Sequence, residues 1–215
     1  MDTDGRMKIE LPPVYPITDK ELARRSSHLG ILKDLVRGGA RLVQIRDKRT
    51  PLRELIEDIH DCVRFAAEQG VRLIINDRSD LALSCGADGV HLGRDDLPPE
   101  AARSILGNRK LIGYSTHSIT QARSASLLPV HYIGFGPVFE TRTKDQADPA
   151  LGLAKLKTAC RISAVPVVAI GGIDLMNVRK VLECGASSAA VISSLMSAHD
   201  IAEKMQEFLE AAMGR

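Results

Sequence analysis

The chain alternates eight times between a short apolar run rich in β-branched residues and a longer amphipathic stretch. Nearly continuous hydrophobicity in such runs is typical of parallel strands that are buried on both faces. Among the predicted helices, the stretch 51–70 is the clearest, with Thr50 as its capping residue, Pro51 in its first turn and Gly70 at its end. The eight predicted strands cover residues 14–18, 41–46, 71–76, 89–93, 111–115, 132–139, 166–172 and 189–194.

Eight strand–helix units in 215 residues predict one closed barrel. Unbroken alternation implies a parallel sheet, and eight units in one domain favour the α/β class and a single (β/α)₈ (TIM) barrel. A doubly wound open sheet is the alternative, but the glycine fingerprint of dinucleotide-binding sheets is missing after the first strand. We expect a single domain over residues 1–215, with residues 1–12 as a flexible N-terminal extension.

Composition narrows the classes of partner. The chain has 29 basic and 27 acidic residues, which argues against binding to nucleic acid or to an anionic membrane. No apolar run reaches the length of a membrane span, and the N-terminus is unlike a signal peptide, so a cytoplasmic location is expected. A homo-oligomer is left open. Four cysteines without zinc-site spacing are expected to be small buried residues, at Cys62, Cys85, Cys160 and Cys184.

The end of the second strand carries a candidate anion clamp. In such a barrel the C-terminal ends of the strands build the active site. Gln44, Arg46 and Lys48 alternate along the segment QIRDK, so the period of a strand places them on one side. A single basic residue at a strand end is usually a solvated charge. Three donors in register after an apolar run are better explained as a clamp for an anion or a heteroatom.

Carboxylates follow the next two strands. Asn76 and Asp77 end the third strand, and Asp95 and Asp96 follow the fourth. Carboxylates from adjacent strand ends predict a Mg²⁺ site, because hard cations prefer oxygen ligands. Taken singly, Asp77 could instead cap a helix, and Asp95 and Asp96 could form a turn before two prolines.

The fifth and sixth strands also end in polar residues. Ser115 and His117 follow the fifth strand, where they can bond a phosphate or polarise a substrate. Ser118 can cap the next helix. The longest connection in the chain follows the sixth strand and contains Thr141, Thr143 and Lys144, two hydroxyls and a cation that can surround a phosphate.

The last two strands carry a phosphate-binding pattern. The seventh ends in Gly171 and Gly172, and the eighth ends in Ile192, Ser193 and Ser194. Backbone N–H groups of such loops, with a short helix that begins there, bind phosphate in many barrels of this class. This pattern predicts a phosphorylated substrate but not the reaction.

Together, these strand ends resemble the thiamine phosphate synthase family. The resemblance runs through VYPITD, QIRDK, NDRSDLAL, GADGVHLGRDD, STHS, GFGPVFETRTK, VVAIGGI and AVISSL. The NDR and GVHLGRDD segments and the GPVF-x-T-x-TK stretch are specific, whereas AIGGI and GADGV occur in many phosphate-binding barrels. The resemblance implies an enzyme that joins a pyrimidine methyl diphosphate to a thiazole phosphate, releases pyrophosphate and forms thiamine phosphate.

The resemblance also implies roles for particular residues. Asp77 and Asp96 would ligate Mg²⁺ as the cofactor. The diphosphate would be held by Arg46, Lys48, Asn76 and Lys144. Gln44 and Ser115 would lie near the pyrimidine, and the catalytic residues would be Arg46, Lys48, Ser115 and Lys144. The thiazole phosphate would be held by Thr141, Thr143 and the backbone around Gly172, Ile192 and Ser193.

Three residues depart from the family pattern, and two other functions stay open. Glu140 stands where a proline is frequent, Arg142 adds a charge to the loop, and Tyr114 is bulkier than the usual aliphatic residue. A related thiazole tautomerase, an isomerase, would use His117 and a VFET-type loop, both present here, but would lack the carboxylates and the lysine Lys48. A non-catalytic sensor of a phosphorylated ligand would need the phosphate site without acidic metal ligands.

Overall fold

The computed structural model describes residues 9–141 and 149–214. Eight parallel strands form one sheet: β1 Val14–Pro16, β2 Leu42–Ile45, β3 Arg72–Asn76, β4 Gly89–Leu92, β5 Leu111–Thr116, β6 Tyr132–Phe135, β7 Val167–Ile170 and β8 Ser188–Val191. The helices in the described residues are α1 Lys20–Ala23, α2 His28–Arg37, α3 Leu52–Gln69, α4 Ser79–Ser84, α5 Pro99–Leu106, α6 Ile119–Ser124, α7 Gly152–Ile162, α8 Val178–Glu183, α9 Ser193–Met196 and α10 Ile201–Met213, with a 3₁₀ turn at Ala125–Leu127.

The strands close into a barrel, as the sequence predicts. Hydrogen-bonded neighbours follow the order β1-β8-β7-β6-β5-β4-β3-β2. The two ends of this order meet at a bridge between Ile17 and Gln44, where the amide of Thr18 donates to the carbonyl of Gln44 at 2.8 Å. The alternative of an open, doubly wound sheet is therefore wrong. Each predicted strand is present, several of them shorter than predicted.

Alternate strand residues build two cores. One set faces the helices and forms the large aliphatic layer between helices and strands. The other set fills the barrel interior and includes Tyr15, Leu42, Ile74 and Tyr132. Within the predicted extension, Ile9 is buried in this inner set and Leu11 packs against it, whereas residues 1–8 lie outside the described residues. Because the inner layer fills the lower barrel, ligands must bind at the upper, C-terminal mouth.

The start of α3 differs from the prediction. Pro51 occupies the capping position, and no side chain caps this helix. The hydroxyl of Thr50, the predicted cap, donates instead to the carboxylate of Asp47 at 2.7 Å. Gly70 ends the helix as predicted, with φ of 63°. The polar residue before the helix is therefore used to shape the preceding loop.

The four cysteines form no disulfide within the described residues. Cys62 and Cys85 are buried, and Cys160 and Cys184 are half-buried; all four are free thiols. Burial raises the pKa of the Cys160 thiol to about 11, so it stays protonated at neutral pH. Within the described residues, no helix is both long enough and apolar enough to cross a membrane.

Candidate active site

The three residues of the predicted anion clamp lie at and after the end of β2. Gln44 is buried and donates from Nε2 to the hydroxyl of Tyr15 at 3.1 Å. Arg46 donates from Nη1 to Asp19, 3.2 Å away, which also caps α1 and so fixes the guanidinium. Lys48 is 58% exposed, and its Nζ lies 3.6 Å from Oδ2 of Asp77. The clamp therefore has one buried amide, one oriented guanidinium and one accessible ammonium group.

Asp77 and Asp96 form a carboxyl pair at the ends of β3 and β4. Their side chains lie within hydrogen-bonding reach of each other. Burial, together with the neighbouring Asp96, raises the pKa of Asp77 to about 6, although Lys48 acts in the opposite direction. Asp96 is fixed by the amide of Gly93, which donates to Oδ2 at 2.6 Å. The pair therefore concentrates carboxyl oxygens at this edge of the barrel.

This pair is a suitable donor set for a hard divalent cation. Carboxylate oxygens are preferred by Mg²⁺, which is often held by one or two carboxylates together with substrate phosphates and water. No cluster of three or more His, Cys, Asp or Glu side chains that could hold a metal occurs in residues 9–141 and 149–214. Asp95 does not join the pair, because its side chain is 90% exposed and faces Arg94 at 3.6 Å. Of the two carboxylates after β4, only Asp96 belongs to the pair, and Asp77 and Asp96 are the two residues that the family resemblance implies as metal ligands.

The backbone explains why Asp77 faces the barrel mouth. Asp77 has φ of 63°, a left-handed conformation that is uncommon outside glycine and is tolerated best by Asn and Asp. Its amide donates to the carbonyl of His91 at 2.8 Å. Helix α4 begins two residues later, with Arg78 in the capping position and no side-chain cap bond. Asp77 is therefore not a helix cap, and its carboxylate is available to a ligand.

Ser115 belongs to a chain of buried polar groups that the sequence analysis missed. Its hydroxyl lies 2.9 Å from Nε2 of His91, and Nδ1 of His91 lies 3.2 Å from the hydroxyl of Tyr132. The hydroxyls of Tyr132 and Tyr15 lie 3.0 Å apart, and Tyr15 accepts the bond from Gln44. Burial raises the pKa of both tyrosines, so they stay protonated. The chain links Gln44 and Ser115 across the barrel interior.

Glycines inside two strands are the sequence signal for these hydrogen-bonded polar groups. A β-carbon at Gly113 would lie 2.5 Å from Nδ1 of His91 and would also overlap the ring of Tyr132. One at Gly134 would lie 3.3 Å from Cε1 of His91. Glycine in a strand often marks a place where another group approaches closely. The runs LIGYS and YIGFG therefore indicate large side chains packed across the barrel axis.

An apolar pocket occupies the other half of the barrel mouth. It lies over β5 to β8 and is continuous with the barrel interior beside Ser115 and Ile170. Four of the predicted phosphate-site residues line it: Thr141, Gly172, Ile192 and Ser193. Asn76 lies with Gln44 and Arg46 at the deeper interior cavity. Arg142, Thr143 and Lys144 lie outside the described residues.

Gly172 lets two loops meet at this pocket. It has φ of 64°, and a β-carbon there would lie 2.7 Å from Cβ of Phe139 and still closer to the carbonyl of Glu140. Only glycine accommodates both the conformation and the contact. The backbone after β7 therefore packs directly on the loop after β6, and Ser193 begins α9 on the opposite side of the pocket.

His117 and Ser118 have structural contacts at the end of β5. Nδ1 of His117 lies 2.8 Å from the carbonyl of Gly136, and its amide donates to Oε1 of Gln121 at 2.6 Å. Ser118 caps α6 as predicted, since its hydroxyl accepts from the amide of Gln121 at 3.1 Å. His117 also lines the apolar pocket. Its orientation is therefore set by the loop after β6.

The fold and the site define an enzyme class. A closed parallel barrel that gathers a cationic clamp, a carboxyl pair and a glycine-lined pocket at its C-terminal mouth is typical of (β/α)₈ enzymes acting on phosphorylated small molecules. The family model described as thiamine monophosphate synthase matches residues 14–195. The chain belongs to this family.

Relatives and a solved structure agree with this assignment. The chain is 45% identical over 197 residues to the thiamine-phosphate synthase of Myxococcus xanthus, covering 92% of this chain and 90% of the relative. It is 43% identical to that of Syntrophomonas wolfei, covering 92% and 96%. The structure of a thiamine phosphate pyrophosphorylase from Pyrococcus furiosus superposes with a TM-score of 0.86 at 34% identity, covering 94% of this chain and 96% of the other.

Proposed function

We propose that the protein joins a pyrimidine methyl diphosphate to a thiazole phosphate, forming thiamine phosphate and releasing pyrophosphate. The observation that carries this proposal is the carboxyl pair of Asp77 and Asp96 beside Lys48, next to the pocket entered at Ser115. A diphosphate leaving group needs concentrated positive charge, which Lys48, Arg46 and a divalent cation held by the carboxyl pair would supply. The names of the relatives support the same reaction.

The residues at β2 and β3 bind the pyrimidine diphosphate in this proposal. Arg46 and Lys48 neutralise the phosphates, and Asn76 donates to them from the floor of the cavity. Bound Mg²⁺, held by Asp77 and Asp96, would supply further positive charge that stabilises the departing pyrophosphate. Gln44 and Ser115 orient the aminopyrimidine, whose electron-rich ring favours departure of the leaving group. Lys144 completes the diphosphate site as a prediction from sequence.

The residues at β6 to β8 bind the thiazole phosphate. The hydroxyl of Thr141 and the backbone around Gly172, Ile192 and Ser193 hold its phosphate, and Thr143 adds a second hydroxyl in the sequence-based prediction. The apolar pocket excludes water from the reacting carbon, which would otherwise be trapped as an alcohol. Binding both substrates over one barrel mouth holds the thiazole nitrogen in line with the bond that breaks. The side chains position substrates and stabilise charge, and no covalent adduct with the protein is needed.

The tautomerase alternative is less well supported than the synthase. Its imidazole would have to act on a thiazole in the apolar pocket, which His117 lines. However, Lys48 and the carboxyl pair have no role in an isomerisation of a thiazole phosphate. They do have a role when a diphosphate leaves. A cytoplasmic location and a homo-oligomeric state remain predictions.

Pyrophosphate release tests the proposal. We expect release only when both substrates and Mg²⁺ are present, and we expect Asp96→Asn to reduce the rate by about a hundredfold or more. Asp95→Asn is the matched control, because this exposed neighbour carries the same charge outside the pair. If wild type releases no pyrophosphate but isomerises the thiazole, and His117→Asn stops that reaction, the protein is a tautomerase. If it binds both ligands and does neither, the sensor hypothesis stands.

A further inference from the structure

We propose that His28 is a positioning residue for the anion clamp, although it lies outside the site and is fully buried. Its Nδ1 lies 2.8 Å from the hydroxyl of Thr18, and its Nε2 lies 3.0 Å from Oδ2 of Asp47. The imidazole thus spans from the segment after β1 to the loop after β2. This inference rests on the proposed function, since it concerns the residues that hold the diphosphate.

The backbone of His28 is anchored independently of its side chain. His28 is the first residue of α2, which Ser27 caps through the amide of Gly30 at 3.3 Å. The carboxylate of Asp58, on α3, accepts the amide of His28 at 2.7 Å and that of Leu29 at 3.1 Å. Helices α2 and α3 therefore hold the backbone of His28 in place. A side chain with a fixed backbone can in turn fix the position of the loops that it contacts.

The loop after β2 is shaped by Asp47. Its carboxylate accepts the amides of Arg49 at 2.9 Å and Thr50 at 2.8 Å, and Lys20 lies 3.1 Å away. Asp47 stands between Arg46 and Lys48 and is 6% exposed, so the two clamp residues extend from a turn whose central side chain is directed into the protein. His28 is the contact that fixes this carboxylate from α2.

Thr18 makes the second link to the clamp. Its hydroxyl accepts the amide of Arg46 at 3.3 Å, so both groups that His28 contacts are bonded to the backbone of the clamp loop. With Thr18 donating its proton to Nδ1, a neutral imidazole protonated on Nε2 donates to Asp47, and each atom has a partner. Burial, the largest effect, lowers the pKa of His28 and favours this neutral form.

The consequence is specific to one substrate. Loss of the imidazole removes the contacts that Thr18 and Asp47 make with α2, so Arg46 and Lys48 should sample more conformations before the diphosphate binds. The affinity for the diphosphate should therefore decrease. The pocket over β5 to β8 lies across the barrel and should keep its shape, so binding of the thiazole phosphate should change little.

The experiment compares two buried histidines. His28→Leu removes both side-chain bonds at the clamp. His131→Leu is the matched control, because His131 is also buried but bonds the amide of Ile112 at 3.0 Å, at the opposite end of β5 from Ser115. The readouts are the dissociation constant for inorganic pyrophosphate with Mg²⁺, measured by calorimetry, the KM of each substrate, and the midpoint of unfolding. His28→Gln, which can still donate to Asp47, gives a second variant if the leucine variant fails to fold.

We expect His28→Leu to weaken pyrophosphate binding by about tenfold or more, and to raise the KM of the pyrimidine diphosphate without changing that of the thiazole phosphate. His28→Gln should recover part of this loss. His131→Leu should lower the unfolding midpoint and leave pyrophosphate binding unchanged. Equal losses in the two leucine variants, or unchanged binding in His28→Leu, would overturn the inference. If neither His28 variant folds, Thr18→Val is the remaining test, because it breaks the link between His28 and the amide of Arg46. This variant must then weaken pyrophosphate binding for the inference to stand.

The binding measurement separates this inference from the proposed function. A wild-type protein that binds pyrophosphate but catalyses no condensation would disprove the synthase reaction, and the effect of His28→Leu on binding would still decide the positioning role. A wild-type protein that does not bind pyrophosphate would disprove both the clamp and the role of His28.

Discussion

Lys48 and Asp77 form an ion pair between the ends of β2 and β3, with Nζ 3.6 Å from Oδ2. The lysine is thereby a counter-ion for the carboxyl pair before any ligand binds. A divalent cation at Asp77 and Asp96 would take over this neutralisation, so Lys48 could turn to the diphosphate. Binding of the metal and of the substrate should therefore favour each other.

Mg²⁺ should stabilise the protein through the carboxyl pair. At a concentration of about 100 times the dissociation constant, a ligand that binds only the native state adds about 2.7 kcal/mol to the free energy of unfolding. We expect a rise in the unfolding temperature of wild type and of Asp95→Asn, and none in Asp96→Asn. Differential scanning fluorimetry with increasing MgCl₂ measures this rise. An equal rise in all three proteins would place the ion elsewhere.

Gly172→Ala should disturb the thiazole phosphate pocket. Gly172 and Gly70 have φ of 64° and 63°, but the space around Gly70 is open whereas Gly172 faces Phe139 and Glu140. Gly70→Ala should therefore cost only the left-handed conformation, about 1–2 kcal/mol. Gly172→Ala should cost a further ~1–3 kcal/mol from overlap and raise the KM of the thiazole phosphate. Equal destabilisation of the two variants, measured by urea unfolding, would contradict the close approach.

Asp47→Asn should change the acid stability of the protein. Burial opposes ionisation of Asp47, but hydrogen bonds from Thr50, Arg49 and Lys20 outweigh it and hold the pKa of this carboxyl well below its usual range. A group with a depressed native pKa contributes stability above its unfolded pKa of about 3.9, and loses it as the pH falls further. The stability advantage of wild type over Asp47→Asn should be constant from pH 7 to 5 and shrink below about pH 4.

Urea unfolding of the two proteins at several pH values measures this difference. Asp61→Asn is the control, because Asp61 is a surface residue whose ion pair is with Arg64, three residues away on α3. Surface pairs of this kind contribute little, so the control should follow wild type at every pH. An advantage that grows as the medium becomes more acidic would contradict the depressed pKa of Asp47.

Tyr132→Phe should weaken both the fold and the pyrimidine site. The variant removes the hydroxyl that contacts Tyr15 and His91, and an unsatisfied buried group costs about 1–3 kcal/mol. Because His91 contacts Ser115, the KM of the pyrimidine diphosphate should also rise. Tyr114→Phe removes a hydroxyl from a half-buried ring that packs toward the helices. It should change neither the free energy of unfolding nor this KM. Urea unfolding and steady-state kinetics decide between these outcomes.

The fold could be predicted because its signal is repeated and local. Each strand of a parallel barrel is buried on both faces, so apolar runs appear directly in the sequence. The strand period places Gln44, Arg46 and Lys48 together, and Asp77 is a candidate because it directly ends a strand. These predictions needed only the position of a residue within its own segment.

The contacts that join segments could not be predicted in this way. His28 lies near the start of a helix and meets Asp47 only because the loops after β1 and β2 are neighbours in the barrel. Asp95 and Asp96 are adjacent in sequence, and only the turn that bonds Gly93 to Asp96 distinguishes their environments. The sequence predicts Thr50 as a helix cap because nothing in it shows that Asp47 competes for its hydroxyl. In each of these cases the contact depends on how the chain folds and not on the residue type alone.

The closure of the barrel between β1 and β2 limits how this enzyme can be redesigned. Strand ends in such barrels are often exchanged like modules, since each loop stands on its own strand. Gln44 breaks that independence, because its backbone closes the ring with Ile17 and Thr18 while its side chain faces the ligand cavity. Grafting a new sequence onto the loop after β6 should leave the ring intact. Grafting one that begins at Gln44 would alter specificity and ring closure together.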